Sequence, residues 1–77
     1  ICHGWDDPLA PPEAVTGLAT ELTAAGADWQ LLGFGGAGHA FTEPSLKTST
    51  RPGFGYGDNA DRSSGTAMTE FLAEVFA

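Results

Sequence analysis

Apolar and polar positions along the chain fall into blocks of different period. Ile1 to Gly4 reads as the end of a strand, and Trp5 to Pro8 as the turn that closes it. From Pro12 to Ala25, Val15, Leu18, Leu22 and Ala25 recur at helical spacing, with Thr16, Glu21 and Thr23 facing away, so an amphipathic helix is expected. Proline is tolerated in a first helical turn, Glu13 suits the positive end of the helix dipole, and Gly26 is a natural stop. Asp28 to Phe34 is short, apolar and followed by glycines, which predicts a second strand. Gly35 to Gly57 holds many Gly, Pro, Ser and Thr residues without periodicity and reads as a long loop of the kind that shapes sites. From about Asn59 or Asp61 onward, Met68, Phe71, Leu72, Val75 and Phe76 form a second apolar stripe, expected to pack on a sheet face. No internal repeat is visible.

A strand, a helix and a strand with short joints make a parallel βαβ unit. The expected fold class is α/β, with the order βαβ, loop, α. Two parallel strands do not stand alone, because parallel sheets need cover on both faces and further strands beside them. The chain also opens inside a strand. Residues 1–77 are therefore expected to form the C-terminal part of a single domain whose N-terminal part, on the same or a companion chain, completes the sheet.

Composition narrows the partners. Of 77 residues, 42% are hydrophobic and 17% charged, as in globular proteins rather than disordered tails. Ten acidic residues oppose three basic ones, for a formal charge of −7. Lys47, Arg51 and Arg62 are scattered, so neither nucleic acid nor an anionic membrane surface is an expected partner. No apolar run reaches the ~20 residues that span a bilayer. The single cysteine excludes an intrachain disulfide framework and fits a reducing compartment, so a cytoplasmic location is expected.

Two ionisable residues follow the predicted strands. Asp7 lies in the turn after the first strand, where open α/β sheets place their sites. Taken alone, it reads more readily as turn chemistry before Pro8. Asp6 competes with it. His39 follows Gly35-Gly36-Ala37-Gly38, a flexible turn that lets a side chain bend over the sheet edge. Imidazole ordinarily titrates near ~6.5, which suits a general base at neutral pH. A loop histidine bonded to backbone is the plainer reading of His39 alone. Together, the order acid then base fits the chain order nucleophile, Asp, His. No Gly-x-Ser-x-Gly or Gly-x-Cys-x-Gly occurs, so any nucleophile is expected outside these residues.

Three segments resemble the dienelactone hydrolase family of the α/β-hydrolase superfamily. His3-Gly-Trp-Asp-Asp-Pro-Leu-Ala-Pro-Pro-Glu13 looks like its acid loop, and Asp28 through Pro44 is similar to its histidine strand and loop. Tyr56-Gly-Asp-Asn-Ala-Asp-Arg-Ser63 and the terminal helix resemble its last segment. The likeness covers nearly the whole chain. It implies a Cys- or Ser-dependent hydrolase of small esters or lactones, with Asp7 and His39 as the acid and histidine of the triad and no cofactor. The isolated chain, without nucleophile or oxyanion hole, is expected to be inactive. Members acting on dienelactone carry an arginine shortly after the histidine. Here Phe41 leads into Thr42-Glu43-Pro44, and Glu43 would repel an anionic substrate, which favours a neutral ester.

Other residues have plainer readings. Cys2 is expected to be a small buried apolar residue, and His3 a turn support. Two histidines with Asp6, Asp58 and Asp61 show no metal-motif spacing, so no metal is expected. Trp5 and Trp29 read as packing residues, although Trp5 beside Asp7 also suits a pocket rim. Phe41, Phe54 and Tyr56 either anchor the long loop or touch an acyl group, and Trp5 and Phe41 are the substrate-contact candidates. Ser63 and Ser64 read as helix-start residues. Two other functions share these features: a non-catalytic α/β-hydrolase-fold binding protein, and a free-standing acidic interaction module, which the incomplete sheet disfavours.

Overall fold

In the computed structural model, which describes residues 1–77, two short parallel strands carry the loops that matter. The elements are β1 (Cys2–Gly4), α1 (Pro12–Ala24), β2 (Leu32–Phe34), a 3-10 turn (Pro44–Thr48) and α2 (Asp58–Val75). β1 pairs β2 in the register Cys2↔Leu32, His3↔Gly33 and Gly4↔Phe34. The crossover through α1 is the βαβ unit that the spacing predicts. Helix α1 begins after Pro11 in extended conformation, with Pro12 first and Glu13 in the first turn. Its chain then reverses at Gly26, whose φ of 71 is available to glycine at little cost.

β2 is shorter than the Asp28 to Phe34 run predicts. At its start the Leu32 amide donates to the Ile1 carbonyl at 2.9 Å and the Ile1 nitrogen to the Gln30 carbonyl at 2.7 Å, so the pairing fades at Gln30. Trp29 is instead turned back onto α1, its indole N–H donating to Thr23 Oγ1 at 3.0 Å. The region from Gly35 to Gly57 is also more ordered than its composition predicts. Glu43 accepts the Ser45 amide at 3.1 Å and starts the 3-10 turn at Pro44. His39 and Phe54 form an isolated parallel bridge across this loop.

α2 starts at Asp58, slightly ahead of the predicted onset, with Asp58 and Asp61 in its first turn near the dipole's positive end. Ser63 and Ser64 consequently lie inside the helix rather than at its start. Ser64 is buried and its hydroxyl donates to the Asp61 carbonyl at 3.0 Å. Cys2 corrects a second expectation: the residue is exposed, its thiol 3.9 Å from the Ser64 carbonyl along a strand with one paired neighbour.

The core is thin. Val15 and Phe41 are its buried apolar residues, while Leu18, Leu31, Leu32, Met68, Leu72 and Phe76 remain exposed. The apolar stripe of α2 is thus left largely uncovered.

Candidate active site

The acid loop is built by β1 and by the amides that follow it. The Asp7 amide donates to the Gly4 carbonyl at 3.0 Å, and the Asp6 amide to the Ala37 carbonyl at 3.0 Å. These bonds turn the chain as it leaves the strand and fasten it to the loop after β2. Asp7 then accepts through Oδ1 from the Leu9 amide at 2.8 Å and the Ala10 amide at 3.3 Å. That is the local side-chain-to-backbone pairing by which aspartate fixes a turn. Turn chemistry and site chemistry coexist here, because each uses a different oxygen.

Asp7 Oδ2 remains, and it lies 3.1 Å from His39 Nδ1. Burial works against the Asp7 charge, but the Leu9 amide, the His39 hydrogen bond and charge, and the Ala10 amide together outweigh it. The carboxyl is held below its ordinary value of 3.8. An ionised carboxylate only accepts, so the proton in this contact sits on Nδ1. In the neutral imidazole the lone pair is then on Nε2, which makes no hydrogen bond within the chain. The His39 side chain is 39% exposed and that of Asp7 12%. The carboxylate is sheltered and the imidazole is reachable.

His39 is placed by backbone as much as by Asp7. Its amide donates to the Gly53 carbonyl at 2.7 Å. Ala40 follows with φ 56, the left-handed region that a non-glycine residue adopts at a cost. That reversal turns Phe41 inward, where it is buried and its ring lies 5.4 Å from that of Phe34. The His39 ring rests against Phe54, centroids 4.9 Å apart.

Asp7, His39, Phe41, Cys2 and Ser64 line one open cleft of about 510 Å³ between β1, the histidine loop and α2. Of the residues singled out in the sequence, the structure brings Asp7, His39 and Phe41 together. Asp6 is exposed and belongs to a separate hollow beside Gly53 and Tyr56. Trp5 does not line the cleft: its ring packs edge-on to His3 at 5.7 Å and covers Gly33. No group of three or more His, Cys, Asp or Glu side chains is assembled to hold a metal ion. No helix is long and apolar enough to cross a membrane.

Two further residues hold the site: His3, expected as a turn support, and Gly53, which the sequence did not single out. His3 is buried, and its Nε2 donates to the Ala10 carbonyl at 2.6 Å, closing the acid loop from behind. Its turn-supporting role was readable from the neighbouring turn, but its partner was not. Gly53 holds the histidine strand in place, and one glycine in a glycine-rich loop carries no distinguishing signal.

Known proteins share this arrangement of elements. A dienelactone hydrolase-like promiscuous phosphotriesterase from metagenomic libraries superposes with a TM-score of 0.82 at 38% identity, over 95% of this chain and 30% of its own. A structure named m3DLH superposes with a TM-score of 0.85 at 36% identity, over 99% and 32%. An uncharacterized protein of Caenorhabditis elegans is 35% identical over all 77 residues, which span 49% of its length. The chain thus covers about half of the curated relative and under a third of each solved neighbour. The small α/β unit matches part of an α/β-hydrolase fold, and the profile of the dienelactone hydrolase family spans residues 1–76. The chain belongs to the dienelactone hydrolase family, a family of hydrolases.

Proposed function

We propose that this chain supplies the acid and the general base of an ester- or lactone-hydrolysing enzyme of the dienelactone hydrolase type. The observation that carries the reading is the Asp7 Oδ2 to His39 Nδ1 contact, with Asp7 Oδ1 already engaged by two amides. His39 Nε2 takes the proton from a Cys or Ser nucleophile as it attacks the carbonyl carbon, and an acyl-enzyme forms as the alcohol leaves with that proton. Water, deprotonated by the same nitrogen, then cleaves the acyl-enzyme. Asp7 keeps the proton on Nδ1 and steadies the imidazolium. Phe41 forms apolar wall beside the base, while Trp5 supports the acid loop through His3.

The nucleophile comes from the remaining part of the domain, whose strands cover the exposed apolar residues beside β1 and β2. The stretch Ala40 to Glu43 that directly follows the histidine offers no cation to pair with an anionic substrate, so a neutral ester or lactone is the expected class. The phosphotriesterase among the structural neighbours makes neutral phosphotriesters a second class to assay.

The test is His39→Ala in the full-length protein, assayed on p-nitrophenyl acetate and a neutral lactone. Loss of a triad member costs on the order of a thousandfold or more in turnover. Turnover that stays within about tenfold of wild type removes His39 from the mechanism.

A further inference from the structure

We propose that Gly53 is the positioning residue that sets the spacing of Asp7 and His39, by standing between the loops that carry them. The proposal rests on the hydrolase reading for the purpose of the pair, whereas the spacing itself is readable without turnover.

Gly53 touches both arms. On one side its carbonyl accepts the His39 amide at 2.7 Å. Gly38, the residue before His39, lies so close to that carbonyl that a Cβ at position 38 would collide with it. On the other side Gly53 faces Pro8, the residue after Asp7. A Cβ on Gly53 would stand 2.7 Å from Pro8 Cδ and 2.8 Å from Cγ, closer than real carbon contacts allow, and a proline ring has little freedom to yield. Gly53 also sits at φ 79, which adds strain for any L side chain. The circuit closes at the strand end, where a Cβ on Gly4 would strike the Gly38 carbonyl. Gly4 in turn accepts the Asp7 amide. Three backbones without side chains are stacked so that a carboxylate and an imidazole from distant loops meet.

Phe54 extends the same device. Its ring supports the imidazole, and the Arg51 guanidinium lies 3.8 Å above the ring on a cation–π contact. The segment from Arg51 to Phe54 therefore fixes His39 through the amide and through the ring.

The experiment compares Gly53→Ala, Pro8→Ala/Gly53→Ala, Phe54→Leu and His39→Ala in the full-length protein. Turnover of p-nitrophenyl acetate is measured alongside the downfield proton resonance of the Nδ1–H shared with Asp7. Misplacement by roughly 1 Å costs on the order of 100-fold, so Gly53→Ala is expected to lower kcat about that much. KM stays within about twofold and the resonance moves or disappears. Removing the Pro8 ring relieves the collision and restores kcat by about tenfold or more. Phe54→Leu keeps the resonance and loses kcat to a smaller degree.

An unmoved resonance in folded Gly53→Ala overturns the proposal. So does a kcat within about threefold of wild type when His39→Ala abolishes turnover. If His39→Ala retains turnover, the hydrolase reading fails and the resonance alone decides Gly53. If Gly53→Ala does not fold, Pro8→Ala/Gly53→Asn decides, because asparagine tolerates the left-handed backbone: recovery of fold and resonance supports the wedge, and failure to recover them refutes it.

Discussion

Asp7 Oδ2 meets His39 Nδ1 at 3.1 Å although thirty-two positions separate the two residues. The β1–β2 ladder carries both loops to one sheet edge, and the Asp6 amide on the Ala37 carbonyl brings the loops within reach. Each Asp7 oxygen has one task. Oδ1 fixes the turn, and Oδ2 orients the ring.

Asp7→Asn separates those tasks. An amide oxygen can still accept from Leu9 and Ala10, but its NH₂ group donates where the imidazole needs an acceptor. The ring is then driven toward the tautomer with its proton on Nε2, which cannot act as base. Turnover by the full-length protein is expected to fall by about 10⁴-fold, while stability changes by less than about 1 kcal/mol. Steady-state kinetics and urea melts of one preparation check this, and a large stability loss with modest kinetic loss would reverse the assignment.

Acid should act on the fold through the same residue. The Asp7 carboxyl ionises more readily in the folded protein than its ordinary value of 3.8. A depressed folded-state pKa contributes stability that is fully present above the unfolded value and is lost as pH falls through the folded one. The stability gap between wild type and Asp7→Asn is therefore expected to hold from neutral pH to about 5 and to close below about 4. Melting temperatures across that range decide it; a gap that widens toward low pH gives the wrong sign.

Tyr56 offers an optical test of the loop. Its hydroxyl donates to Asp61 Oδ2 at 2.7 Å, and that bond, with burial and the Asp61 and Asp58 charges, pushes its pKa up to about 12. A raised folded-state pKa gives stability that is present below the ordinary value near 10 and lost as pH climbs toward 12. The difference titration of wild type against Tyr56→Phe at 295 nm should show late ionisation. Asp61→Asn should return the midpoint toward its usual value.

His3 should matter to stability more than to chemistry. Replacing it with Phe leaves the part-buried Ala10 carbonyl without its donor, which costs on the order of 1 kcal/mol. Because the Ala10 amide also holds Asp7, the acid loop should loosen along with the loss. Hydrogen exchange at the Leu9 and Ala10 amides reads this directly; protection unchanged from wild type would deny His3 the role.

The 77-residue chain on its own should melt without cooperativity and bind a hydrophobic dye. Leu31, Leu32, Met68 and Leu72 lie exposed around a two-stranded sheet, a surface that a stable domain rarely leaves open. A sharp thermal transition by the isolated monomer would contradict this.

Legibility in the sequence tracked how local each cause is. Helix α1 announces itself in the spacing of Val15, Leu18 and Leu22, and Asp7 and His39 stand just beyond apolar runs with turn residues around them. The length of β2 was not legible, because Trp29 is drawn back onto Thr23 of α1 by a side-chain bond that the apolar run does not show. Nor was the exposure of Cys2, which depends on what covers β1 rather than on the residue. The bridge between His39 and Phe54 joins segments separated by a loop without periodicity, so no pattern marks it. Gly53 illustrates the limit: its importance lies in what its missing side chain leaves room for.

The two amides on Asp7 Oδ1 have an evolutionary corollary. Carboxylate orientation is settled within four consecutive residues, Asp7 to Ala10. On the proposed reading, a swap of sulfur for oxygen at the nucleophile, or a new acyl preference elsewhere in the domain, leaves this turn untouched.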